Sequence, residues 1–295
     1  MYYGLNLISL DKLPRAMELQ AVALNNRIYT LNGAYSCGFD MPNELYMYNP
    51  AAGYWCKKAN LPYVKNTFSL VSLNAKIYVV GGNIKNNDVQ SGSIEEYNPR
   101  TNTWIVKSEM PSPINSFGVT AINNSILIIG GYSKGCFTNE VYEYNPGNGK
   151  WSKKADWPQM DMCLSASVID NKVYTISGNG IIDEYDYFAD VWHTKSKLLE
   201  NRHDFGCAVC DNQIYIFGGW ASEKSSFKVE KILDSIELYD PNSNYQGIIG
   251  KLDELKWGMG TVSILNKIYV LGGCLTTFPQ EMSFSDALSV YEINH

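Results

Sequence analysis

KIYVVGGN, residues 76 to 83, is an apolar strand-like run that ends in a double glycine. Nearly the same string recurs without gaps as RIYTLNGA (27–34), SILIIGGY (125–132), KVYTISGN (172–179), QIYIFGGW (213–220) and KIYVLGGC (267–274). The second glycines are Gly33, Gly82, Gly131, Gly178, Gly219 and Gly273, spaced 49, 49, 47, 41 and 54 residues apart. A repeat with a period near fifty residues outranks any local reading of the chain.

The rest of the unit recurs too. A short strand such as QAVAL, SLVSL or GVTAI precedes each glycine pair. After the pair comes a strand that ends in Tyr and a turn: YMYNP (46–50), EEYNP (95–99), YEYNP (142–146), DEYDY (183–187), ELYDP (237–241) and SVYEI (289–293). Asn-Pro and Asp-Pro start tight turns, because Pro fixes φ after a side chain that caps its own backbone. Seven residues after the Tyr stands a Trp (Trp55, Trp104, Trp151, Trp192), replaced by Gln246 in the fifth unit. Seven further on come LP (61–62), MP (110–111) and WP (157–158). Each unit therefore reads as four strands: a, before the Asn or Asp turn; b, ending in Gly-Gly; c, ending in Tyr; and d, carrying Trp. The b strands are apolar on both faces, so both must be covered. Radial stacking of four-stranded antiparallel blades supplies that cover, which predicts an all-β, six-bladed β-propeller. The aromatic side chains would fill the gap that widens outward between blades. Trp104→Ala should then cost on the order of 3–5 kcal/mol.

The combination GG…Y-(D/N)-P-x-x-x-x-W…(M/L)-P resembles the kelch repeat, in six copies that cover essentially the whole chain. Local departures are Asn32-Gly33 and Ser177-Gly178 in place of Gly-Gly, the missing Trp of unit five, and a sixth unit that stops at His295 before a Trp strand. GLNLISLDKLP (4–14) stands alone near the start, with Leu13-Pro14 matching the LP turn and Leu7 where Trp would stand. Residues 1–12 are therefore expected to supply the outer strand of blade six, a closure common in kelch propellers. The expected blades are about 15–61, 64–110, 113–157, 160–198, 201–252, and 255–295 plus 1–12, all within one domain. The repeats look most like those of kelch-like adaptors that carry a BTB domain and recruit substrates to a ubiquitin ligase. No BTB or BACK segment is read here, so that role would need a longer parent or a separate partner.

Composition narrows the function classes. Twenty-four basic against thirty acidic residues leave a net charge of -6, which argues against a phosphate-tracking nucleic-acid surface. Seven cysteines, an odd and scattered set, point to a reducing, cytoplasmic setting rather than a disulfide framework. Cys207 and Cys210 fall in an alternating run, GCAVC, that points them to opposite faces, so they read as small buried thiols rather than half a metal site. No leader and no membrane-spanning apolar run are read in the sequence. Three histidines on different elements make no metal cluster, and no cofactor motif occurs. A monomer without cofactor or metal is expected.

In a propeller the d–a and b–c loops emerge on one face. The a–b turns (LNNR, LNAK, INNS, IDNK, CDNQ, ILNK) are minimal, so the opposite face looks plain. The b–c loops vary, and those of blades five, six and one are long; variable loops on a rigid scaffold often carry function, although long loops can also be tolerated insertions. The central mouth should be lined where each a strand starts: Met17-Glu18, Asn66-Thr67, Asn115-Ser116, Met162-Cys163, His203-Asp204 and Trp257-Gly258. Just before these stand Ala16, Lys65, Ile114, Asp161, Arg202 and Lys256. The resemblance implies Arg at this position, and in peptide-binding relatives such arginines hold an acidic motif; only Arg202 keeps it here. The main expectation is a non-catalytic module that binds a protein loop or peptide through Tyr35, Asn66, Asn115, Tyr132, Arg202, His203, Trp220 and Trp257, with the aromatics exposed on the rim. The rival reading, carried by the resemblance to mutarotase-type kelch propellers, is a sugar enzyme with Glu18 as base and Arg202 as electrostatic clamp.

Overall fold

The computed structural model describes residues 4–15, 19–32, 43–84, 89–221, 231–276 and 283–294. Among them there is no helix; the chain folds into six antiparallel four-stranded sheets in a ring. Blade two serves as the pattern, with strand a at Ser69–Leu73, b at Lys76–Val80, c at Ser93–Asn98 and d at Thr103–Glu109. The a strands pack against one another around the axis, and that of blade six (Gly260–Ile264) packs against that of blade one (Leu19–Leu24).

Why strand b is apolar throughout is visible in its packing. In blade two, Ile77 and Val79 enter the core shared with blade one, while Tyr78 and Val80 enter the core shared with blade three. The same alternation sends Ile126 and Ile128 one way and Leu127 and Ile129 the other. Each junction between neighbouring blades has its own hydrophobic cluster, six in all. A period-2 strand with a different core on each face must be apolar at every position.

The glycine pair closes the inner end of that strand. Gly82 has φ +93, and a side-chain carbon there would sit 2.6 Å from the Asn66 carbonyl oxygen. Gly81 presses instead on the next blade, 2.9 Å from the Ile114 carbonyl oxygen by the same measure. Only glycine fits both the left-handed backbone and the two close approaches.

Ring closure follows the expected arrangement. Gly4–Lys12 is the outer strand of blade six and pairs with Ala287–Asn294, with Leu7 opposite Tyr291 and a bulge between Leu7 and Ser9. Leu13 is buried, and its N–H donates to the Asp286 carbonyl at 2.7 Å. The equivalent residues Leu61, Met110, Trp157, Leu198 and Leu252 repeat both features, each buried with its N–H on a carbonyl of the b–c segment. In blades four and five this anchor has no Pro after it, so the LP pattern did not reveal it there.

The Trp residues pack against the cores shared by neighbouring blades, as expected, and are only partly enclosed there. Each stacks on the Tyr opposite it in strand c, at 4.7–5.0 Å between ring centroids. Each indole N–H then donates to the preceding blade: Trp55 to Lys12 O, Trp104 to Ala59 O, Trp151 to Ser108 Oγ and Trp192 to Ala155 O, at 2.8–3.0 Å. Gln246, in place of the fifth Trp, sends its Nε2 to Lys197 O at 2.8 Å and keeps the clasp without the ring. Trp104 is only partly buried, so it is a seam clasp rather than an enclosed filler.

Trp104→Ala should therefore cost about 2 kcal/mol, below the roughly 3–5 kcal/mol of an enclosed Trp. Gln246→Ala should cost about 2 kcal/mol, because it also removes the bonds of Gln246 with Glu237 Oε1 and Ser196 Oγ. Both are read from urea midpoints; a loss under about 0.5 kcal/mol in both would remove the clasp as a stabilising device. Deleting residues 4–10 should abolish a single cooperative thermal transition, because it strips strand d from the closing blade. A transition within a few degrees of the full chain would show that closure contributes little.

Candidate functional site at the mouth of the central channel

The start of each a strand is built on one local device. A residue just before the strand pairs antiparallel with the residue that follows the glycine pair: Asn66 with Asn83, Asn115 with Tyr132, His203 with Trp220 and Trp257 with Cys274. In the last three blades both backbone hydrogen bonds are made, at 2.7–3.1 Å. The next residue is then left-handed: Thr67 (φ 53), Ser116 (φ 52), Asp204 (φ 48) and Gly258 (φ 64). For Thr and Ser this conformation is strained, and strain of that kind collects where a structure must hold a special shape. The kink turns the following Phe68, Phe117, Phe205 and Met259 inward to close the core. It leaves the kinked residue facing the axis.

These residues ring a channel cavity of about 410 Å³. Its rim holds Thr67, Ser116, Met162, His203, Asp204 and Gly258, and its walls are small residues such as Ser69, Gly118, Ser165, Ala166 and Gly260. The mouth has two unlike halves. Blades two and three contribute amides, with Asn115 Nδ2 donating to Asn83 Oδ1 at 3.4 Å. Blades five and six contribute rings: His203 stacks on Trp220 at 4.4 Å, and Trp220 packs with Trp257 and Cys274. The Trp220 indole donates to Asp204 Oδ2 at 2.7 Å, and the Trp257 indole donates to Thr276 O at 3.0 Å. Burial holds the His203 imidazole below its usual pKa, although the Asp204 and Asp161 carboxylates pull the other way. Among the described residues, three buried polar atoms at the mouth have no hydrogen-bond partner: Asn66 Oδ1, Thr67 Oγ1 and His203 Nδ1.

The position before the mouth residues behaves differently from the expectation. Arg202 does not rim the channel; its side chain is 0% exposed. Its guanidinium faces Glu237 Oε2 at 3.3 Å and Glu200 Oε2 at 3.1 Å, and donates to the Gly218 and Ser235 carbonyls. Lys65, in blade two, is likewise enclosed, with Nζ 2.7 Å from Glu95 Oε1 and further bonds to Ser93 Oγ and the Gly81 carbonyl. Burial lowers the pKa of both cations, and their carboxylate partners oppose that shift. Lys256 is also enclosed, but strand c of its blade offers Ser289 instead of a carboxylate. Its Nζ lies 3.6 Å from both Asp253 and Glu254, carboxylates supplied by the turn before it. In blade three the position is Ile114, packed beside Tyr142. Lys65 and Arg202 thus form internal ion pairs of the scaffold, whereas Lys256 Nζ, buried near two carboxylates, makes no hydrogen bond among the described residues.

The expected site residues thus separate. Asn66, Asn115, Tyr132 and His203 stand at the mouth, and Tyr132 is 37% exposed. Trp220 and Trp257 are there too, but at 6% and 5% exposure they form its aromatic wall rather than protruding anchors. Arg202 is withdrawn beneath the mouth and cannot act as a clamp on a ligand. Glu18 and Tyr35 lie outside the described residues, as do most of the long b–c loops. Asn83 was missed; its signal was its place directly after a glycine pair, where Tyr132 and Trp220 also stand.

Glu237→Ala should leave the Arg202 charge buried and poorly paired, at a cost of about 3–5 kcal/mol. Denaturant unfolding checks this, and a cost under about 1 kcal/mol would mean that Glu200 alone suffices.

Comparison with known proteins agrees with this geometry. Residues 18–200 match the family model described as the KLHDC2/KLHL20/DRC7 Kelch-repeats domain, and residues 201–245 match the Kelch motif. The chain is similar to an F-box/kelch-repeat protein of Arabidopsis thaliana, 31% identical over 90 residues that make up 30% of this chain and 22% of that protein. It is similar to Kelch-like protein 28 of Homo sapiens, 29% identical over 85 residues, 28% of this chain and 15% of the other. The matched stretch is thus under a quarter of the length of either relative. Among solved structures, that titled "Structure of YjhT" superimposes with a TM-score of 0.79 over 96% of this chain and 99% of the other, at 14% identity, which shows a shared fold. With well over half of its length matched by the family model, the chain belongs to the kelch-repeat family.

Proposed function

We propose that this propeller is a non-catalytic protein-interaction module. A partner loop or peptide docks on the face formed by the d–a and b–c loops, over the channel mouth. The observation that carries the reading is the mouth itself. It is a polar cavity lined by Thr67 and His203, with Asn66 beside it, and among the described residues the buried Asn66 Oδ1, Thr67 Oγ1 and His203 Nδ1 have no hydrogen-bond partner. Unsatisfied buried polar atoms are costly, and an incoming peptide backbone can satisfy them. Exposed apolar side chains of the d–a loops surround the mouth, among them Tyr63, Val64, Met160, Leu199 and Leu255. These side chains offer a partner apolar surface to bury beside the polar contacts of the mouth.

The sugar-enzyme reading requires Arg202 in the pocket, and the enclosed Arg202–Glu237 pair removes it from that role. The kelch-like relatives support a protein partner, and a place within a larger adaptor is the fuller form of the proposal. The test is affinity capture with three proteins of matched thermal stability. These are the wild type, Asn115→Ala with Tyr132→Ala at the mouth, and Phe188→Ala on the opposite face, where Phe188 is 75% exposed. A partner recovered by the wild type and the Phe188 variant but not by the mouth variant is the expected result. Recovery that survives the mouth change and fails with Phe188→Ala would move the docking site to the other face.

A further inference from the structure

Five of the six junctions between blades carry a clasp on their outer edge. The indole N–H of Trp55, Trp104, Trp151 or Trp192, or the amide of Gln246, donates to the preceding blade. The junction of blades five and six has Leu7 in that place, opposite Tyr291 as each Trp stands opposite its Tyr. Leucine has no N–H to give, so the clasp is missing. Leu7 and Ile8 are 42% and 44% exposed, and Ile248 on strand d of blade five is 46% exposed, so no ring seals this edge. A second tie is missing too. In the other five blades a tight turn joins strand c to strand d, as between Asn98 and Thr103. In blade six the two strands come from opposite ends of the sequence, and no turn links Gly4 to Asn294. The ladder is also interrupted nearby. Ile8 has no partner in strand c and stands one residue after Leu7, whereas in blades two and five the extra residue, Lys107 or Ile249, stands three after Trp104 or Gln246. A bulge leaves a residue unpaired and bends its strand, so this one divides Gly4–Leu7 from Ser9–Lys12. The second half is well tied: the Tyr48 hydroxyl donates to Asp11 Oδ2 at 3.0 Å, the Trp55 indole donates to the Lys12 carbonyl, and Lys12 Nζ lies 2.8 Å from Asp286 Oδ2. The inner part of the same junction is tied as well. Phe217 packs on Tyr291, and the Thr261 and Ser263 hydroxyls donate to the Cys207 and Val209 carbonyls. The first half has its backbone ladder and the packing of Leu5 on the core.

We propose that Gly4–Leu7 is a latch: it detaches from Tyr291–Asn294 by itself, hinged at Ile8, while the rest of the ring stays closed. The open latch uncovers the backbone edge of Tyr291–Asn294 and the apolar surface under Leu5, at the outer edge of the ring and away from the channel mouth. An uncovered edge of this kind is where an extended chain segment can add as a strand. The latch acts independently of the docking face proposed above.

Hydrogen exchange on the full 295-residue chain reads the opening directly. The paired amides of Gly4–Leu7 and Tyr291–Asn294 should exchange at least about tenfold faster than those of Ser9–Lys12, and than those of Tyr97–Asn98 and Thr103–Trp104 in blade two. Leu7→Trp places an indole opposite Tyr291 and should slow exchange of the latch by about fivefold, the worth of one hydrogen bond, with blade two unchanged. Trp104→Leu makes the converse change without adding bulk, in a blade whose turn is intact. Exchange at Thr103–Trp104 should then quicken by about fivefold. Uniform protection along Gly4–Lys12, or latch amides as slow as those of blade two, would overturn the proposal. So would a folded Leu7→Trp variant whose latch exchanges as in the wild type, or a Trp104→Leu variant with exchange at Thr103–Trp104 unchanged.

Discussion

The whole ring depends on a strand that has no solvent face. Strand b of each blade divides its side chains between two different cores, as Ile77 and Tyr78 do in blade two. A blade by itself would leave at least one of those faces wet, at roughly 25 cal/mol for each square ångström of apolar surface. Stability therefore belongs to the junctions and not to the blades. An open stack would leave two terminal faces bare; a closed ring leaves none. The glycine pairs serve the same constraint, because blades that share cores must come close at the axis, where a side chain would hold them apart.

That closeness shapes the mouth. The turn into strand a is pinned from behind by the ion pairs Lys65–Glu95 in blade two and Arg202–Glu237 in blade five, and by Ile114 packing in blade three. Buried pairs of this kind contribute little net stability, since desolvation offsets most of their attraction. Their value here is positional. Each cation reaches the carbonyls and the carboxylate of strand c together, which fixes where the strained residue after it points. The chain thus uses its inner cations as fasteners and presents amides, rings and a carboxylate to solvent.

How much of this could be read beforehand follows the reach of each signal. The strand b motif carried the fold, because period-2 packing and a fifty-residue repeat are both local patterns in the sequence. The closing strand was legible because Leu7 and Leu13-Pro14 keep the register of the missing Trp and LP, and Leu7 does lie opposite Tyr291. The roles of Trp104 and Arg202 were less legible. Trp104 looked like an enclosed filler, but its indole N–H needs the Ala59 carbonyl, which holds the ring near the outer edge. Arg202 looked like a mouth residue because it adjoins His203; a one-residue step along an extended chain sends neighbouring side chains to opposite sides. The clue was available in strand c, where Glu95 and Glu237 stand two residues before the Tyr in the blades that carry Lys65 and Arg202. The left-handed residues Thr67 and Ser116 had no residue-type signal, since neither Thr nor Ser favours that conformation, whereas Asp204 is of a type that tolerates it.

The register between Gly4–Lys12 and Ala287–Asn294 has a further consequence, in time rather than in space. Within the propeller, the strand that completes the last blade is made before any other strand of the ring, and its partner is the last of them. Until synthesis delivers residues 287–294, the early strand has no edge to pair with. The loop that its pairing closes is almost the entire chain, so its entropy is lost late and in one step. Non-local strand pairing is slow for this reason and leaves partly formed sheets exposed while they wait. The five blades that need no such partner can assemble in order, like links laid down in a row. Final locking of the ring is then the step at which nascent chains divide between closure and self-association.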